Sequence, residues 1–321
     1  MYRSLLHVFV VGGLAVSSFS AFAADDLDTY TDRRIMGFGE AYLGGLRVVP
    51  YFDNAETKNN LIAGGAARVN IPVPSNFNLQ IDGLVDTIFD GERFGGAPGL
   101  DAFDYNVTNF GGAGHFYWRN PERFAFGIMG SWTRYNYEDI GSFDPVEGYT
   151  GETRYHDLKT GGFDAQIYLD RWTLYGQAYL GERTRRYFNP NTGEDSLDYQ
   201  FWGLRGVVRY YQTDNLRFDA EVGYGQEDLS AFEEIADYTV NTWQFAAQAT
   251  YRFEESPISV FGRYQFESRD QEGEDIFGAP LPDFHRFLVG IRYSFGSGSL
   301  LDEERNGPAM DTLQRTSVLR R

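Results

Sequence analysis

The chain has 321 residues, with 28 lysines and arginines against 46 aspartates and glutamates, for a formal net charge of −18. This acidic balance argues against a nucleic-acid partner, which needs a basic surface. The mean hydropathy of −0.42 argues against a helical membrane protein, because such proteins need apolar runs of about 20 residues. Cysteine is absent, so disulfides and thiolate metal sites are excluded. A membrane-spanning β-sheet remains open.

The first 23 residues predict a secretory signal peptide. Arg3 precedes the apolar run 5–16, and the small-residue sequence Ala21-Phe22-Ala23 follows it. A charged start, a short apolar stretch and an A-x-A site are together typical of a peptide that is cleaved after its last alanine. A short membrane anchor is the alternative, and the length of the run disfavours it. We expect residues 24–37 to form an N-terminal periplasmic segment.

The rest of the chain alternates between apolar and polar residues, which predicts β-strands. In residues 284–296, Val289, Ile291 and Tyr293 share one face, whereas Arg286 and Arg292 share the other. Successive side chains of a strand point to opposite faces. The predicted strands are 38–49, 61–71, 77–86, 105–119, 124–137, 153–169, 172–187, 198–211, 216–229, 238–253, 258–269 and 284–295.

Tight turns alternate with long connections between these strands. The tight turns are predicted at 72–76, 120–123, 170–171, 212–215 and 254–257, and the long, acidic connections at 86–104, 138–152, 189–196, 226–237 and 270–283. An even number of long strands with this alternation is typical of a membrane barrel whose short turns face the periplasm. A soluble β-propeller is the alternative, but its blades use shorter strands with turns of similar length.

Alternation alone does not tell which face points outward, and the aromatic residues supply that information. They form two bands, one beside the short turns and one toward the long connections. The first band is Trp118, Trp172, Tyr210, Tyr251, Phe253, Tyr293 and Phe295, and the second is Trp132, Trp202 and Trp243. Two such bands match the interfacial girdles of a membrane barrel, so we expect the apolar face to meet lipid.

The sequence Val289-Gly290-Ile291-Arg292-Tyr293-Ser294-Phe295 resembles the aromatic-ended last strand of Gram-negative outer-membrane β-barrels, particularly small porins and channels. The resemblance covers almost the whole mature chain as a pattern. It implies an all-β fold, a closed antiparallel up-and-down transmembrane barrel of about twelve strands over residues 38–295. It also implies a location in the outer membrane. The implied partners are outer-membrane lipid and lipopolysaccharide, small solutes and the barrel-assembly machinery.

The chain departs from this family pattern at its C-terminus. In the family the aromatic residue commonly ends the chain, whereas residues 296–321 follow it here. The sequences Gly296-Ser297-Gly298-Ser299 and Asp302-Glu303-Glu304-Arg305 predict a solvated C-terminal periplasmic tail. Contact of this tail with peptidoglycan or a protein is the alternative.

The polar face of the strands is expected to line the lumen. The candidates for selectivity are Arg68, Asp82, His115, Arg119, Asp164, Arg205, Arg209, Asp219, Glu221, Arg252, Arg263, Glu267 and Arg292, joined by Gln80, Gln166, Gln244, Gln248, Gln265 and Arg286. Such a wall favours passive diffusion of small polar or charged solutes through a narrow lumen. The alternative is that these charges pair and fill the lumen, and that the protein is a structural or adhesin-type barrel acting through its acidic loops.

Enzymatic and metal-binding functions receive little support from the sequence. His156-Asp157 is the one local catalytic candidate, and no recognisable motif surrounds it. The acidic loops lack the spacing of a calcium-binding loop. We therefore expect no catalytic residues, no metal site and no cofactor.

Overall fold

The structure is a computed structural model that describes residues 34–49, 57–92, 104–144, 148–189, 193–228, 238–273 and 281–312. The predicted signal peptide and residues 24–33 lie outside these ranges. So do residues 313–321 and the middle of most long connections.

Twelve antiparallel strands form one closed barrel, in which sequence neighbours are sheet neighbours and the last strand pairs with the first. Closure leaves no unpaired strand edge. The predicted all-β barrel of about twelve strands is therefore confirmed. The strands are β1 (Met36–Val49), β2 (Lys58–Pro72), β3 (Phe77–Glu92), β4 (Asp104–Asn120), β5 (Phe124–Asp144), β6 (Gly148–Leu169), β7 (Trp172–Asn189), β8 (Gly193–Thr213), β9 (Leu216–Asp228), β10 (Tyr238–Arg252), β11 (Ile258–Gly273) and β12 (Asp283–Phe295).

The seam between β1 and β12 closes the barrel. Gly37 lies opposite Phe295 and Ala41 lies opposite Ile291 in this pairing. The aromatic-ended segment is thus the last strand of the barrel, although it does not end the chain.

The strands run further into the long connections than the sequence indicates. β5 and β6 remain paired as far as Asp144 and Gly148, so most of the connection predicted at 138–152 is strand. Acidic residues and glycines do not stop a hairpin when cross-strand hydrogen bonds continue. The short turns lie where they are predicted, and Asp170 adopts a φ of 45° in the two-residue turn between β6 and β7.

The apolar face points outward. Large hydrophobic side chains are exposed on every strand, including Phe163, Leu180 and Val289, which are 69%, 69% and 66% exposed. The predicted aromatic bands lie on this surface, with Trp172 and Tyr210 in contact at 4.5 Å between ring centroids. A soluble monomer rarely exposes so continuous an apolar surface, and a membrane barrel requires it.

The chain turns back into the barrel after β12. Gly296 makes this turn at a φ of 81°, where a Cβ atom would lie 2.6 Å from the carbonyl oxygen of Ile35. Ser299 then caps the helix α1 (Leu300–Asn306) by accepting a hydrogen bond from the Asp302 N–H. No helix in the described part of the chain is long and apolar enough to cross a membrane.

Helix α1 lies across the short-turn end of the barrel. The Leu301 N–H donates to the carbonyl of Asp214 at 3.0 Å, and Arg305 donates to the carbonyl of Asp170 at 2.7 Å. Residues 307–312 then enter the lumen, where the side chain of Met310 is fully buried. We call residues 296–312 the C-terminal segment. The prediction of a solvated tail is wrong for this segment, because lumen arginines neutralise acids that the sequence suggests are solvent-facing.

Candidate functional site in the lumen

The inner wall of the barrel has two zones. The first, which we call the polar zone, consists of the charged and amide side chains that contact the C-terminal segment or its partners. The second is apolar and lies mostly toward the long connections. This apolar zone is formed by Tyr42, Leu46, Val48, Ile62, Ile88, Val107, Tyr135, Leu158, Phe201, Phe261, Phe284 and Leu288. The sequence predicts that polar residues line the lumen, whereas in the structure part of the lumen wall is apolar.

Three arginines converge on the carboxylate of Asp311. Arg68 donates to Oδ1 at 2.9 Å, while Arg205 and Arg209 donate to Oδ2 at 3.2 and 2.5 Å. Burial alone would raise the pKa of Asp311, but the guanidinium groups of Arg209, Arg205 and Arg68 outweigh burial and hold this pKa well below its usual range. Asp311 is therefore an ionised carboxylate enclosed by cations.

Two further acids of the C-terminal segment also meet lumen arginines. Glu304 accepts a hydrogen bond from Arg209 at 2.6 Å. Glu303 accepts one from Arg292 at 3.2 Å, and the same guanidinium also donates to Glu40 at 2.9 Å. All three acids lie on the lumen-facing side of the segment.

Lumen side chains also bind the backbone of the segment. Arg119 donates to the carbonyl of Gly307 at 2.7 Å and Gln166 to that of Ala309 at 2.9 Å. Gln80 both donates to the carbonyl of Met310 at 2.6 Å and accepts from its N–H at 3.1 Å. Gln177 donates to the carbonyl of Asp311 at 2.7 Å. These bonds satisfy backbone groups that would otherwise be costly to bury.

A buried network on β3, β4 and β6 supports the end of the segment. Nδ1 of His115 lies 2.6 Å from Oδ2 of Asp164, and Nε2 lies 3.4 Å from Oδ2 of Asp82. Thr312 donates a hydrogen bond to the same oxygen of Asp82. Tyr175 donates to Asp164 at 2.8 Å. Thr312, the last described residue of the segment, thus contacts a buried hydrogen-bonded network.

All thirteen predicted lumen residues lie on the inner wall. Those that contact the segment directly are Arg68, Asp82, Arg119, Arg205, Arg209, Arg252 and Arg292. His115 and Asp164 reach it through the network above. Asp219 pairs with Arg217, and Glu221 pairs with Arg205 and Arg263. Glu267 instead pairs with Arg269, away from the segment. Their role in selectivity stays a prediction.

Several members of the polar zone are not among the lumen residues predicted from the sequence. They are Glu40, Asn70, Tyr175, Gln177 and Arg217. Strand alternation indicates some of them. Arg217 lies on the same face of β9 as Asp219, and Gln177 lies on the same face of β7 as Tyr175. No local pattern indicates the C-terminal segment as their partner.

The segment balances the charge of the polar zone. Apart from His115, eight strand-borne guanidinium groups and five strand-borne carboxylates line this zone among the described residues. The cations are Arg68, Arg119, Arg205, Arg209, Arg217, Arg252, Arg263 and Arg292, and the acids are Glu40, Asp82, Asp164, Asp219 and Glu221. The three inward-facing carboxylates of the segment, Glu303, Glu304 and Asp311, offset the excess of three cations.

The structure separates the two members of the catalytic candidate. His156 is buried on the inner side of β6, where Leu158 joins the apolar zone, whereas Asp157 pairs with Arg134 of β5 at 2.7 Å on the other face. The two side chains therefore do not act on one point. Among the described residues, no group of three or more metal-ligating side chains is arranged to hold a metal ion.

No family model and no curated protein matches the chain. Among solved structures, the β-domain of the Bordetella autotransporter BrkA is 12% identical with a TM-score of 0.47, over 81% of this chain and 99% of that chain. The translocator domain of the autotransporter NalP from Neisseria meningitidis is 10% identical with a TM-score of 0.49, over 89% and 97%. The Pseudomonas putida toluene transporter TodX is 8% identical with a TM-score of 0.40, over 81% and 89%.

The location of the protein follows from its own surface and topology. Twelve strands close without an edge, their outer side is largely apolar between two aromatic bands, and most of their buried charged residues face the lumen. Only closed barrels and helices can satisfy every backbone group within a bilayer. The chain is an outer-membrane β-barrel protein.

Proposed function

We propose that this protein is a narrow outer-membrane channel for small charged solutes, and that its own C-terminal segment holds the channel closed. The observation that carries the proposal is the occupation of the charged lumen by residues 307–312.

The cavity on the Arg209 side of the segment is too small for a solute. The cavity between the segment and the wall, bounded by Arg209, Glu221 and Arg263, has a volume of about 70 Å³. Such a cavity holds a few water molecules. Passage of a solute along this side of the lumen therefore requires the segment to leave.

The ion pairs between the lumen wall and the C-terminal segment favour a channel over a permanently filled barrel. A filled lumen needs only strand-borne charges that pair with one another, but here Arg209 makes both of its described ion pairs with the segment. The segment begins after Phe295, where the β1–β12 pairing is complete. Its departure would therefore break no strand pairing and would expose a cationic lumen wall.

The apolar zone adds an apolar stretch to the lumen wall. Hydrophobic constrictions in channels gate by dewetting, and the ring that includes Phe201 and Phe284 surrounds much of the lumen. We therefore expect small conductance steps from the open state rather than those of a wide porin.

The test is single-channel recording in planar bilayers of the full mature chain and of a chain that ends at Phe295. The matched control ends at Thr312 and retains the whole C-terminal segment. We expect discrete steps from the chain that ends at Phe295 and silence from the other two. Heat-shifted gel mobility verifies that each barrel has folded. A folded, inserted barrel that ends at Phe295 and stays silent would overturn the proposal in favour of a filled, structural barrel.

A further inference from the structure

We propose that Arg68, Arg205 and Arg209 form the solute-binding site of the channel, that its ligands are small anions with two or three carboxylates, and that Asp311 occupies this site as a built-in substitute for the ligand. This inference rests on the proposed function and names the solute class.

The three arginines reach the site from opposite sides of the lumen. Arg205 and Arg209 lie two positions of the inner face apart on β8, whereas Arg68 lies on β2, which is separated from β8 by five strands in either direction around the closed barrel. Their guanidinium groups nevertheless contact one carboxylate, and both of its oxygens are used. The carboxylate of Asp311 therefore lies within the lumen cross-section, where a permeating solute would pass.

The site keeps unmatched positive charge without the C-terminal segment. Arg205 has a strand-borne partner in Glu221, at 2.7 and 2.8 Å, and Arg68 has Asp82 at 3.6 Å. Arg209 differs, because within the described ranges its ion pairs are with Glu304 and Asp311 only. Its side chain is 3% exposed. Asp219 lies opposite Arg209 in the β8–β9 pairing, but its described ion pair is with Arg217. A buried guanidinium that loses its paired carboxylates is costly, so Arg209 favours binding of an anion when the segment is absent.

Two carboxylates meet at Arg209, which indicates the kind of anion. Nη1 of Arg209 donates to Glu304 at 2.6 Å and Nη2 donates to Asp311 at 2.5 Å. Arg217 lies 4.0 Å from the other oxygen of Glu304. One small molecule with two or three carboxylates would reproduce both contacts. Planar guanidinium groups suit carboxylates and phosphates alike, so phosphate is the necessary comparison.

The first experiment removes the built-in ligand from the full chain. Citrate binding to the Asp311→Ala chain in detergent micelles is measured by calorimetry and compared with the original chain, in which the site is occupied. We expect citrate to bind at least tenfold more tightly to Asp311→Ala. Adding Arg209→Gln should remove this gain, whereas adding Arg269→Gln, an arginine that pairs with Glu267 away from the segment, should retain it.

The second experiment uses the unaltered chain and so does not depend on any variant folding. Hydrogen exchange of residues 300–312 is measured in citrate, in neutral succinamide and in inorganic phosphate. We expect citrate to accelerate exchange by competing with Asp311, and succinamide to have no effect. Equal effects of phosphate and citrate would overturn the carboxylate class. No effect of citrate in either experiment would overturn the site.

Conductance of the chain that ends at Phe295 separates this inference from the proposed function. If the chain that ends at Phe295 conducts but citrate does not bind, the proposed binding site is wrong and the proposed channel stands. Citrate binding to Asp311→Ala with no current from the shortened barrel would overturn the channel and leave a carboxylate site without a transport role.

Discussion

The substitution Arg209→Gln tests the closure most directly at the level of one side chain. Arg209 contacts the C-terminal segment three times, at Glu304, at Asp311 and at the carbonyl of Ala309. Glutamine removes the charge and leaves two buried carboxylates with one cation fewer.

The expected magnitude follows from the burial of this contact. Breaking a buried ion pair by removing one partner costs about 3–5 kcal/mol. At about 1.4 kcal/mol for each tenfold change, the equilibrium for undocking the segment should rise by roughly two to three and a half orders of magnitude. The strands should be unaffected, because no backbone pairing of the barrel involves the segment.

Hydrogen exchange followed by mass spectrometry measures this opening. Protection of residues 300–312 should fall by at least about 10²-fold in Arg209→Gln, while strand peptides keep theirs. The matched control is Arg134→Gln, which breaks an arginine–aspartate pair with Asp157 on the outer face. A fall of less than tenfold in the segment, or an equal fall with Arg134→Gln, would refute the reasoning.

Three further predictions concern pH, selectivity and the lipid-facing surface. The pKa of Asp311 is lowered by docking, so its stabilising contribution is complete above its ordinary value near 3.8 and is lost only as pH falls through the lower docked value. Segment protection, corrected for intrinsic exchange, should therefore be unchanged between about pH 7 and pH 5, and a loss there would contradict the assignment. In the chain that ends at Phe295, neutralising Arg205 and Arg209 with glutamine should shift the reversal potential toward cation selectivity, and an unchanged potential would count against their role. Val289→Arg should lower the free energy of unfolding in vesicles by about 2–4 kcal/mol, measured by urea titration, with Val289→Ala as the control; equal effects would mean that this position does not face lipid.

Local alternation explains why most of the barrel is predictable from the sequence. In β12, an apolar or aromatic residue occupies every second position from Phe287 to Phe295, and this period fixes both the strand and the faces of its side chains. Strand ends at the long connections are less predictable, because cross-strand hydrogen bonds rather than composition extend β5 and β6 to Asp144 and Gly148.

The closure is not predictable in the same way. Asp302, Glu303 and Glu304 are typical of a solvated helix, and only their spatial neighbours turn two of them into buried ligands of Arg292 and Arg209. These neighbours come from β8 and β12, so no sequence window contains the pattern. Alternation places the lumen arginines correctly, but it does not indicate what neutralises them.

The apolar zone was missed for a related reason. Phe201 lies on the same face of β8 as Arg205, and Phe284 lies on the same face of β12 as Arg286. If all apolar residues of the barrel are assigned to the lipid-facing surface, the aromatic residues that face the lumen are assigned to the wrong side. Face parity within each strand, applied to every residue, would place them correctly.

Cleavage of the chain during a recording tests whether the C-terminal segment closes an otherwise conducting barrel. A protease recognition sequence is inserted between Gly298 and Ser299 of the full chain, and a single barrel is reconstituted in a planar bilayer. We expect silence until protease is added to the short-turn side, followed by discrete steps as the cut segment dissociates. The chain that lacks the insertion should not respond. Continued silence after cleavage and loss of the fragment, or steps before cleavage, would contradict this closure.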